Sequence, residues 1–524
     1  MKPAIKQQEA IEQNISPHHT LADLVDTFMT LPKNLDREIF GIAVDSREVK
    51  PGFAFVAVPG RGKFDGRDFI QDAVAAGAVA VLSELSSNTE IKTGYISTGQ
   101  ALQNGIPHIQ VPKLNEIVGI IADRFFRKPS VQMQMIGITG TNGKTTVASL
   151  LTICLQKLQT KSAFVGTHGY GCDLDNLDVT GVTTPGALKL QTILDNVRGQ
   201  GAEAVCMEVS SHAIDQNRIT GTRFDTLVLT NVTRDHIEYH GSEKAYKSTK
   251  ARLFLEHDAR NIVLNLDDPT GRAILQQKKQ TERVIGYSLQ SSLAHPIENI
   301  VYGHHVQARL GSLAMLVTYK NETVKIQTAL VGSFNAANIL AVIATLLSQD
   351  FSLHECQQAL YGARPVNGRM EVLGGGEQPL VIVDYAHTPD ALEAVLSNLQ
   401  RYCEKKLICV FGCGGERDRG KRSMMGKVAE KYCDQIILTN DNPRKESPQA
   451  IIAEVLQGIL SPWAIDVKYD RTEAIVHAMN IATKGDVVLV AGKGQETYQI
   501  IGDEKISFSD KEKVEFLLKL KEGS

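Results

Sequence analysis

The densest chemistry in the sequence lies in Gly140-Thr141-Asn142-Gly143-Lys144-Thr145-Thr146. This run follows the short apolar strand MIGITG and opens the helical stretch GKTTVASLLTICLQKL. Successive backbone N–H groups at a helix start, backed by the helix dipole, can cradle phosphate oxygens. Lys144 would neutralise β- and γ-phosphates, and the Thr145 hydroxyl could bind Mg²⁺. The general phosphate-loop pattern asks for a glycine where this chain has Ile138, so the reading rests on the strand-to-helix context and the Gly-Lys-Thr end. The alternative is a glycine-rich turn without a ligand.

Other strand ends carry candidate ligands. Glu208 ends AVCMEVSS, and His236 sits in TNVTRDHIEYHG. Each is either a satisfied buried polar group or, beside a triphosphate, part of a Mg²⁺ shell, imidazole being the less usual partner of this hard ion. Lys250 in AYKSTKARLF reads on its own as a surface lysine. Buried near cations it would instead favour the neutral amine, which can add CO₂ and become an anionic carbamate. Asp441-Asn442-Pro443-Arg444 after QIILTN is compatible with a plain β-turn and a solvated arginine.

The elements that must position these residues form an alternating series. AVCMEVSS, TLVLTNV and NIVLNLDD read as strands separated by helical stretches, which argues for a mostly parallel sheet with helices on both faces. Residues 297–330 alternate like strands and predict an antiparallel hairpin turning near Lys320-Asn321. NAANILAVIATLL predicts an apolar helix. From about Arg364 a second series, LVIVDYAH, LICVFGCGG, QIILTNDN and DVVLVAGKG, predicts a doubly wound sheet with ligands beyond its carboxyl strand ends. Ahead of both, GIAVDSREVKPGFAFVAVPG reads as strand, polar turn, strand, and RKPSVQMQ as a linker.

The chain has 524 residues, which at roughly 150 per domain suggests three domains. The expected cuts fall at 1–130, 131–362 and 363–524. The fold class expected is α/β, with a central P-loop-type, mostly parallel sheet and a C-terminal doubly wound sheet. Lys plus Arg is 56 and Asp plus Glu is 59, a net charge of -3, too balanced for a nucleic-acid binder that relies on a basic face. No apolar run nears the ~18 residues of a membrane span, and the first twenty residues lack an apolar signal core. Eight cysteines without a Cys-x-x-Cys pair read as reduced thiols, so a cytoplasmic location is expected.

In order along the chain, GTNGKTT, MEVSSHAIDQNR, NVTRDHIEYHG, YKSTK, NAANILAVIA, GRMEVL, VDYAHTPDAL, GCGGERDRGKR, DNPRKE and GKGQE resemble the Mur ligases of peptidoglycan synthesis. The resemblance covers nearly the whole chain and is weakest in residues 1–40 and 85–110. Together with the DSR segment, HAIDQNR and DNPR narrow it to the members that use diaminopimelate. It implies a uridine-nucleotide domain, a central ATPase and a C-terminal Rossmann-like domain. The implied reaction joins UDP-N-acetylmuramoyl-L-alanyl-D-glutamate (UDP-MurNAc-dipeptide) to meso-2,6-diaminopimelate through an acyl phosphate, in cell-wall biogenesis. ATP, Mg²⁺ and a carbamylated Lys250 are the implied cofactors, and a monomer without nucleic-acid or membrane partners is expected.

The resemblance also implies residue roles. Val44 and Ser46 match positions holding the uridine end; Arg61 to Lys63 align less cleanly. Thr183, Thr184, Ser210, Gln216 and Arg218 match contacts to the muramoyl-dipeptide. Lys144, Lys250 and His236 match catalytic positions, and Thr145, Glu208, His236 and carbamylated Lys250 match the metal set. The loop Gly140 to Thr146 with Asn335, Asn338, Arg369 and Asp384 matches the ATP site. Arg417, Asp441, Asn442, Pro443, Arg444, Gly492 and Glu496 match the diaminopimelate site, with Arg444 gripping the distal carboxylate. A guanidinium fork suits a carboxylate, so diaminopimelate is expected over L-lysine.

Rival readings are a folylpolyglutamate synthetase or another Mur ligase, a nucleotide switch without ligase activity, and a dinucleotide oxidoreductase. The last fails on G-x-G-x-x-G, because Arg417 stands where the third glycine belongs.

Overall fold

The computed structural model describes residues 19–59, 65–85, 100–101, 105–278, 283–290, 297–309, 312–364, 368 and 370–522. Arg61 to Lys63 and Arg369 lie outside the described residues. The chain gathers into two compact units. One draws on the chain through Gln134 with Thr184–Glu203 and His212–Arg223; the other holds Met135–Thr183, Ala204–Ser211 and the chain from Phe224 onward. Three larger α/β sheets give the three domains: one sheet in the first unit and two in the second.

In the first unit Gly41–Ala43, Phe53–Ala57, Ala80–Glu84 and Pro107–Val111 run parallel, with Gln100–Ala101 antiparallel at the edge. The predicted strand, turn, strand of GIAVDSREVKPGFAFVAV is therefore a parallel pair, joined through the 3-10 turn Ser46–Glu48. Leu82, Ile109 and Val56 pack on one face, and Phe55, Val81 and Ala73 on the other. The supposed linker RKPSVQMQ is packed: Pro129 and Ser130 are buried, and Ser130 Oγ accepts the Arg223 N–H at 3.1 Å.

The second unit opens with a ten-stranded sheet. From one edge its strands are Gly169–Gly171, Ser162–Gly166, Ala204–Glu208, Gln134–Thr139, Thr226–Leu229, Asn261–Asn265, Arg283–Ser288, Ile300–Arg309, Ser312–Tyr319 and Glu322–Thr328. The run from Gln134–Thr139 through Thr226–Leu229, Asn261–Asn265 and Arg283–Ser288 to Ile300–Arg309 is parallel. The last three strands form an antiparallel meander, one strand more than the predicted hairpin. Its second turn is at Lys320, as expected, with a left-handed φ of 53°. The added strand Ile300–Arg309 has a bulge between His304 and Gln307, which interrupts the alternation that sequence reading depends on. The helices Lys144–Lys157 and Asn335–Ser348 cover this sheet, and nearly every residue of the latter is buried.

A six-stranded sheet follows. Its parallel strands Leu380–Asp384, Val487–Ala491, Leu407–Phe411, Gln435–Leu438 and Asp466–Val467 carry Glu371–Gly374 antiparallel at one edge. Both faces are covered, by Leu392, Met425 and Ile452 on one side and by Ile475, Met479 and Val514 on the other. Helix starts here follow local sequence: Thr388 and Ser447 each cap a helix whose first residue is proline, a ring whose missing N–H costs nothing at that position. Because the four central strands are parallel, Asp384, the GCGGERDRG loop, the DNPR turn and the GKGQE loop emerge at one end.

Candidate active site

The phosphate loop is held from beneath by the strand end Thr230-Asn231. Thr141 N–H donates to Asn231 O at 2.7 Å and Asn142 N–H to Asn231 Oδ1 at 3.0 Å. Asn142 O accepts from Thr230 Oγ1 at 2.6 Å and Asn231 Nδ2 at 3.0 Å. Gly143 takes φ 86°, and a Cβ there would lie 2.4 Å from Asn338 Oδ1, so glycine is required both by the turn and by the neighbour. The helix that starts at Lys144 has no side-chain cap. Its first-turn N–H groups thus form an anion-seeking end. Asn338 Nδ2 donates to Asn335 Oδ1 at 2.8 Å, so the two predicted adenine-side asparagines act as one pair against the loop.

Two lysines converge on one carbonyl. Lys144 Nζ donates to Gly140 O at 2.9 Å and Thr141 O at 3.0 Å; Lys250 Nζ donates to Gly140 O at 2.8 Å. Lys250 is 1% exposed, so the surface reading of this residue is wrong. Its helix Glu243–Glu256 turns it inward beside Tyr246, whose hydroxyl meets Thr141 Oγ1 at 3.0 Å. Burial, helped by the Lys144 charge and opposed by Asp235, pushes the Lys250 ammonium well below the ordinary lysine range. A shift in that direction favours the neutral amine, the form able to add CO₂.

Glu208 ends its strand at 1% exposure and accepts from Thr167 N–H at 2.9 Å and Thr167 Oγ1 at 3.2 Å. Thr167 Oγ1 also lies 3.1 Å from Thr183 Oγ1, which joins this predicted contact residue to the Glu208 corner. Among the described residues no group of three His, Cys, Asp or Glu could by itself hold a metal ion. Mg²⁺ at nucleotide sites takes one or two protein oxygens and fills its shell with phosphate and water, so the hard donors Thr145 and Glu208 fit it. His236 is placed differently from the metal reading. Its Nε2 faces Asp235 Oδ2 at 3.3 Å and its Nδ1 faces Glu238 Oε1 at 3.6 Å.

Asp235 was missed by sequence reasoning, although it stands within the quoted TRDH run. It is buried, and Lys421 Nζ and His387 Nε2 approach it to 3.8 and 3.9 Å. Burial raises its carboxyl, but the charges of His236, Lys421 and His387 outweigh that and hold it well below the usual range. Next to it Arg234 pairs with Asp418 at 3.3 Å. Lys421 and His387 lie in the quoted GERDRGKR and DYAH runs, where spacing alone did not single them out. Asp384 is buried, and its oxygens accept the N–H groups of Met370 at 2.7 Å and Ala386 at 2.8 Å.

In the first unit the structure brings Thr184, Gln216 and Arg218 together. Arg218 donates to Gln216 Oε1 through Nε at 3.0 Å and Nη2 at 2.6 Å, and to Thr184 O at 2.9 Å. Asp215 and Asn217 flank Gln216 and help line a cavity of about 310 Å³ with Glu84 and Lys113. Val44 is 37% exposed, and Ser46 begins a 3-10 turn capped by Asp45. Ser210, half-buried, belongs to the second unit, just past Glu208.

The C-terminal loops form a pocket of opposite charges. A Cβ on Gly414 would meet Arg444 Nη1 at 3.2 Å and Arg417 Cγ at 3.4 Å, so the two arginines share one glycine floor. A Cβ on Gly415 would strike Pro443 O at 1.9 Å, which is why the DNPR turn can press on this loop. Arg444 Nη1 donates to Gly415 O at 2.7 Å. Burial, then the Arg417 charge, lower the Arg444 guanidinium from its ordinary value. Arg444 takes φ 52°, held by its N–H to Ile500 O at 3.0 Å and by Gly502 N–H to its carbonyl at 2.8 Å. Glu496 Oε2 accepts from Asn442 Nδ2 at 2.9 Å, and Asn442 N–H from its own side returns to Asp441 Oδ1 at 2.7 Å. Gly492, at φ 114°, passes within 2.7 Å (Cβ position) of Asp441 Oδ2. Two guanidiniums and a carboxylate so arranged suit a ligand bearing both a carboxylate and an ammonium.

A glycine-rich loop opening a helix on a mostly parallel sheet, with a separate doubly wound domain carrying a pair of arginines beside a glutamate, defines a Mur-type ligase architecture. The chain belongs to the Mur ligase family. Residues 38–126 match the Mur ligase family catalytic domain, 138–346 the Mur ligase middle domain, and 368–494 the Mur ligase glutamate ligase domain. It is 43% identical over 483 residues to the UDP-N-acetylmuramoyl-L-alanyl-D-glutamate–2,6-diaminopimelate ligase of Xylella fastidiosa strain Temecula1, covering 92% of this chain and 94% of that one. The ligase of the same name from Chromobacterium violaceum is 44% identical over 495 residues, covering 94% and 96%. A solved structure of such a ligase superposes with a TM-score of 0.67 at 32% identity, covering 97% of this chain and 100% of that one. The MurF ligase of Thermotoga maritima in complex with ADP shares the fold, with a TM-score of 0.63 at 18% identity over 94% and 100% of the two chains.

Proposed function

We propose that the chain adds meso-2,6-diaminopimelate to UDP-N-acetylmuramoyl-L-alanyl-D-glutamate with consumption of ATP, giving the UDP-MurNAc-tripeptide, ADP and phosphate in peptidoglycan precursor synthesis. The observation that carries the choice of amino acid is the shared seat of Arg417 and Arg444 over Gly414, with Glu496 anchored through Asn442 beside it. The domains are 1–130 for the uridine nucleotide, 131–362 for ATP and 363–524 for the amino acid.

A carboxylate is a poor electrophile, so the D-Glu γ-carboxyl first takes the γ-phosphoryl group and the diaminopimelate amine then attacks the acyl phosphate. Screening of negative charge is the main task in both steps. Lys144 and the first-turn N–H groups after Gly143 hold the phosphates, while Asn335 and Asn338 flank the base. Thr145 and Glu208 supply oxygen ligands for Mg²⁺, which when bound polarises the phosphoryl oxygens. A metal role for His236 requires its ring to leave the two carboxylates it faces. Lys250, as the carbamate, turns a cation beside Lys144 into an anion that can hold metal or substrate. Asp384 serves the nucleotide side of the C-terminal domain, and the family resemblance gives Arg369 the same role. Gln216, Arg218 and Thr184 of the first unit contact the dipeptide, and Val44 and Ser46 the uridine end. Arg444 and Arg417 take the distal carboxylate, Glu496 the distal ammonium, and Asp441, Asn442, Pro443 and Gly492 shape that end. The substrates place the enzyme in the cytoplasm, and a single chain, as a monomer, contains every group named. Among the described residues no helix is long and apolar enough to cross a membrane.

The test is phosphate release from ATP with the UDP-MurNAc-dipeptide, comparing diaminopimelate, L-lysine and no amino acid. Full release without an amino acid, or equal kcat/KM for the two amino acids, overturns the proposal.

A further inference from the structure

The GKGQE loop contains a buried cation that no motif reading used. Lys493 is 0% exposed. A buried ammonium is costly unless its donors are matched. Its Nζ donates to Glu496 Oε2 at 2.7 Å and to Asn442 Oδ1 at 3.1 Å, and lies 5.6 Å from the centre of the Tyr498 ring. Glu496 Oε2 also accepts from Asn442 Nδ2, so this one oxygen is bonded twice within the protein, and Oε1 has no hydrogen bond among the described residues. Asn442 Oδ1 accepts in addition from Ile500 N–H at 2.9 Å, and Ile500 O takes the N–H of Arg444. The chain Glu496–Lys493–Asn442–Ile500–Arg444 is therefore continuous. Lys493 and Asn442 in its middle are buried; one end is the Glu496 carboxylate and the other the backbone N–H of Arg444, the residue whose guanidinium would face the amino acid.

We propose that Lys493 is a positioning residue that fixes the separation between the Glu496 carboxylate and the Arg444 guanidinium, and thereby sets how strictly the pocket demands both a distal ammonium and a distal carboxylate. The inference rests on the reading of this pocket as the diaminopimelate site. Lys493 does not touch the ligand; it holds one oxygen of Glu496 and the carbonyl of the Asn442 amide, so that the second carboxylate oxygen and the guanidinium keep their places. Lys-x-x-Glu within the loop is the sequence signal for it, legible only once Asn442 is known to lie across from it.

The experiment uses the full chain carrying Lys493→Met and, separately, Lys493→Gln, which keeps an uncharged N–H donor group of shorter reach. Steady-state phosphate release is measured with diaminopimelate and with L-lysine. Lys493→Met is expected to raise KM for diaminopimelate ~10-fold or more, the scale of one charged hydrogen bond. KM for ATP and for the UDP-MurNAc-dipeptide should stay within about two-fold, the mark of a change confined to one substrate's binding. The preference for diaminopimelate over lysine should shrink, with Lys493→Gln intermediate. Adding Glu496→Gln to Lys493→Met should cost less than the two separate effects combined. An unchanged KM for diaminopimelate, a parallel rise in all three KM values, or full additivity overturns the proposal; should Lys493→Met not fold, Lys493→Gln is judged on the same criteria. Arg444→Ala separates the two failures. If it leaves KM for diaminopimelate unmoved, the pocket itself is misread; if it raises that KM and Lys493→Met does not, only the positioning role falls.

Discussion

Arg444 combines an unfavourable backbone with a favourable side chain. A left-handed φ at a non-glycine residue costs ~1–3 kcal/mol, and here two backbone bonds to the Ile500–Gly502 segment hold it in place. What that conformation secures is a guanidinium brought beside Arg417, a pair that is mutually repulsive until a carboxylate arrives. Arg444→Ala is expected to raise KM for diaminopimelate far more than KM for ATP, measured by phosphate release at saturating concentrations of the other substrates. L-lysine, which lacks the second carboxylate, would leave the guanidinium desolvated and unmatched, and discrimination of ~10³-fold follows from the loss of such a bond. Lys144 is a different case, because in the proposed reaction its charge meets the transferring group itself. Lys144→Ala should lower kcat by ~10²-fold or more, the scale of removing one electrostatic stabiliser. Lys250 offers a spectroscopic check: ¹³C-labelled bicarbonate should give a carbamate signal in the wild-type chain that is lost in Lys250→Met.

At the scale of elements, the helix Leu114–Phe125 carries a testable conflict. Asp123 on it is 8% exposed, and burial, only partly offset by Lys128 and Arg124, raises its carboxyl to about 6 from the ordinary 3.8. The folded chain therefore holds this proton more tightly than the unfolded chain, and between those two values stability falls as pH rises. The cost is complete above about pH 6 and amounts to at most about 3 kcal/mol. Asp123→Asn should raise the thermal midpoint at pH 7.5 and lose that advantage near pH 4, as read by melting curves at the two pH values. The elements themselves were largely legible. Strand, loop and helix around Gly143 follow from apolar run, glycine and periodicity, and the four C-terminal strands end at the polar residues that marked them. The meander's extra strand was not, because the bulge after His304 breaks the two-residue period. Nor was the burial of Lys250, since one lysine on a helix rich in charge reads as solvated until its neighbours in space are known. Asp235 and Lys421 escaped for the same reason, because they meet across different strand ends and no spacing along the chain records that. Lys493 has a local partner in Glu496, but its second partner, Asn442, comes from another strand end.

Within the second unit, the central and C-terminal sheets are tied at the site by ion pairs rather than by apolar contact alone. Arg234 meets Asp418, and Lys421 and His387 approach Asp235. Away from the site, Tyr402 donates its hydroxyl proton to Ala308 O. The proposed reaction gives these ties a purpose, because in it an acyl phosphate must meet an amine before water reaches it. Orientation of the two reacting groups is worth up to ~7–11 kcal/mol in well-ordered systems, and only if the two sheets hold their register. Asp418 is the place to test this. Its Oδ1 also accepts the Gly420 N–H at 2.9 Å, a bond that asparagine can keep through its amide oxygen. Asp418→Asn thus removes the charge that faces Arg234 while keeping the bond to the first N–H of the Gly420–Tyr432 helix. Arg234 is one-third exposed and Asp418 is buried, but the pair is long at 3.3 Å, so its loss should cost about 1 kcal/mol and lower the melting temperature only slightly. The expected change is kinetic: a few-fold lower kcat for tripeptide formation, with phosphate release exceeding tripeptide formed. Parallel assays of phosphate and of product on the same samples give that ratio. A ratio that stays at one while kcat falls would mean that the pair orders the C-terminal loops without guarding the intermediate.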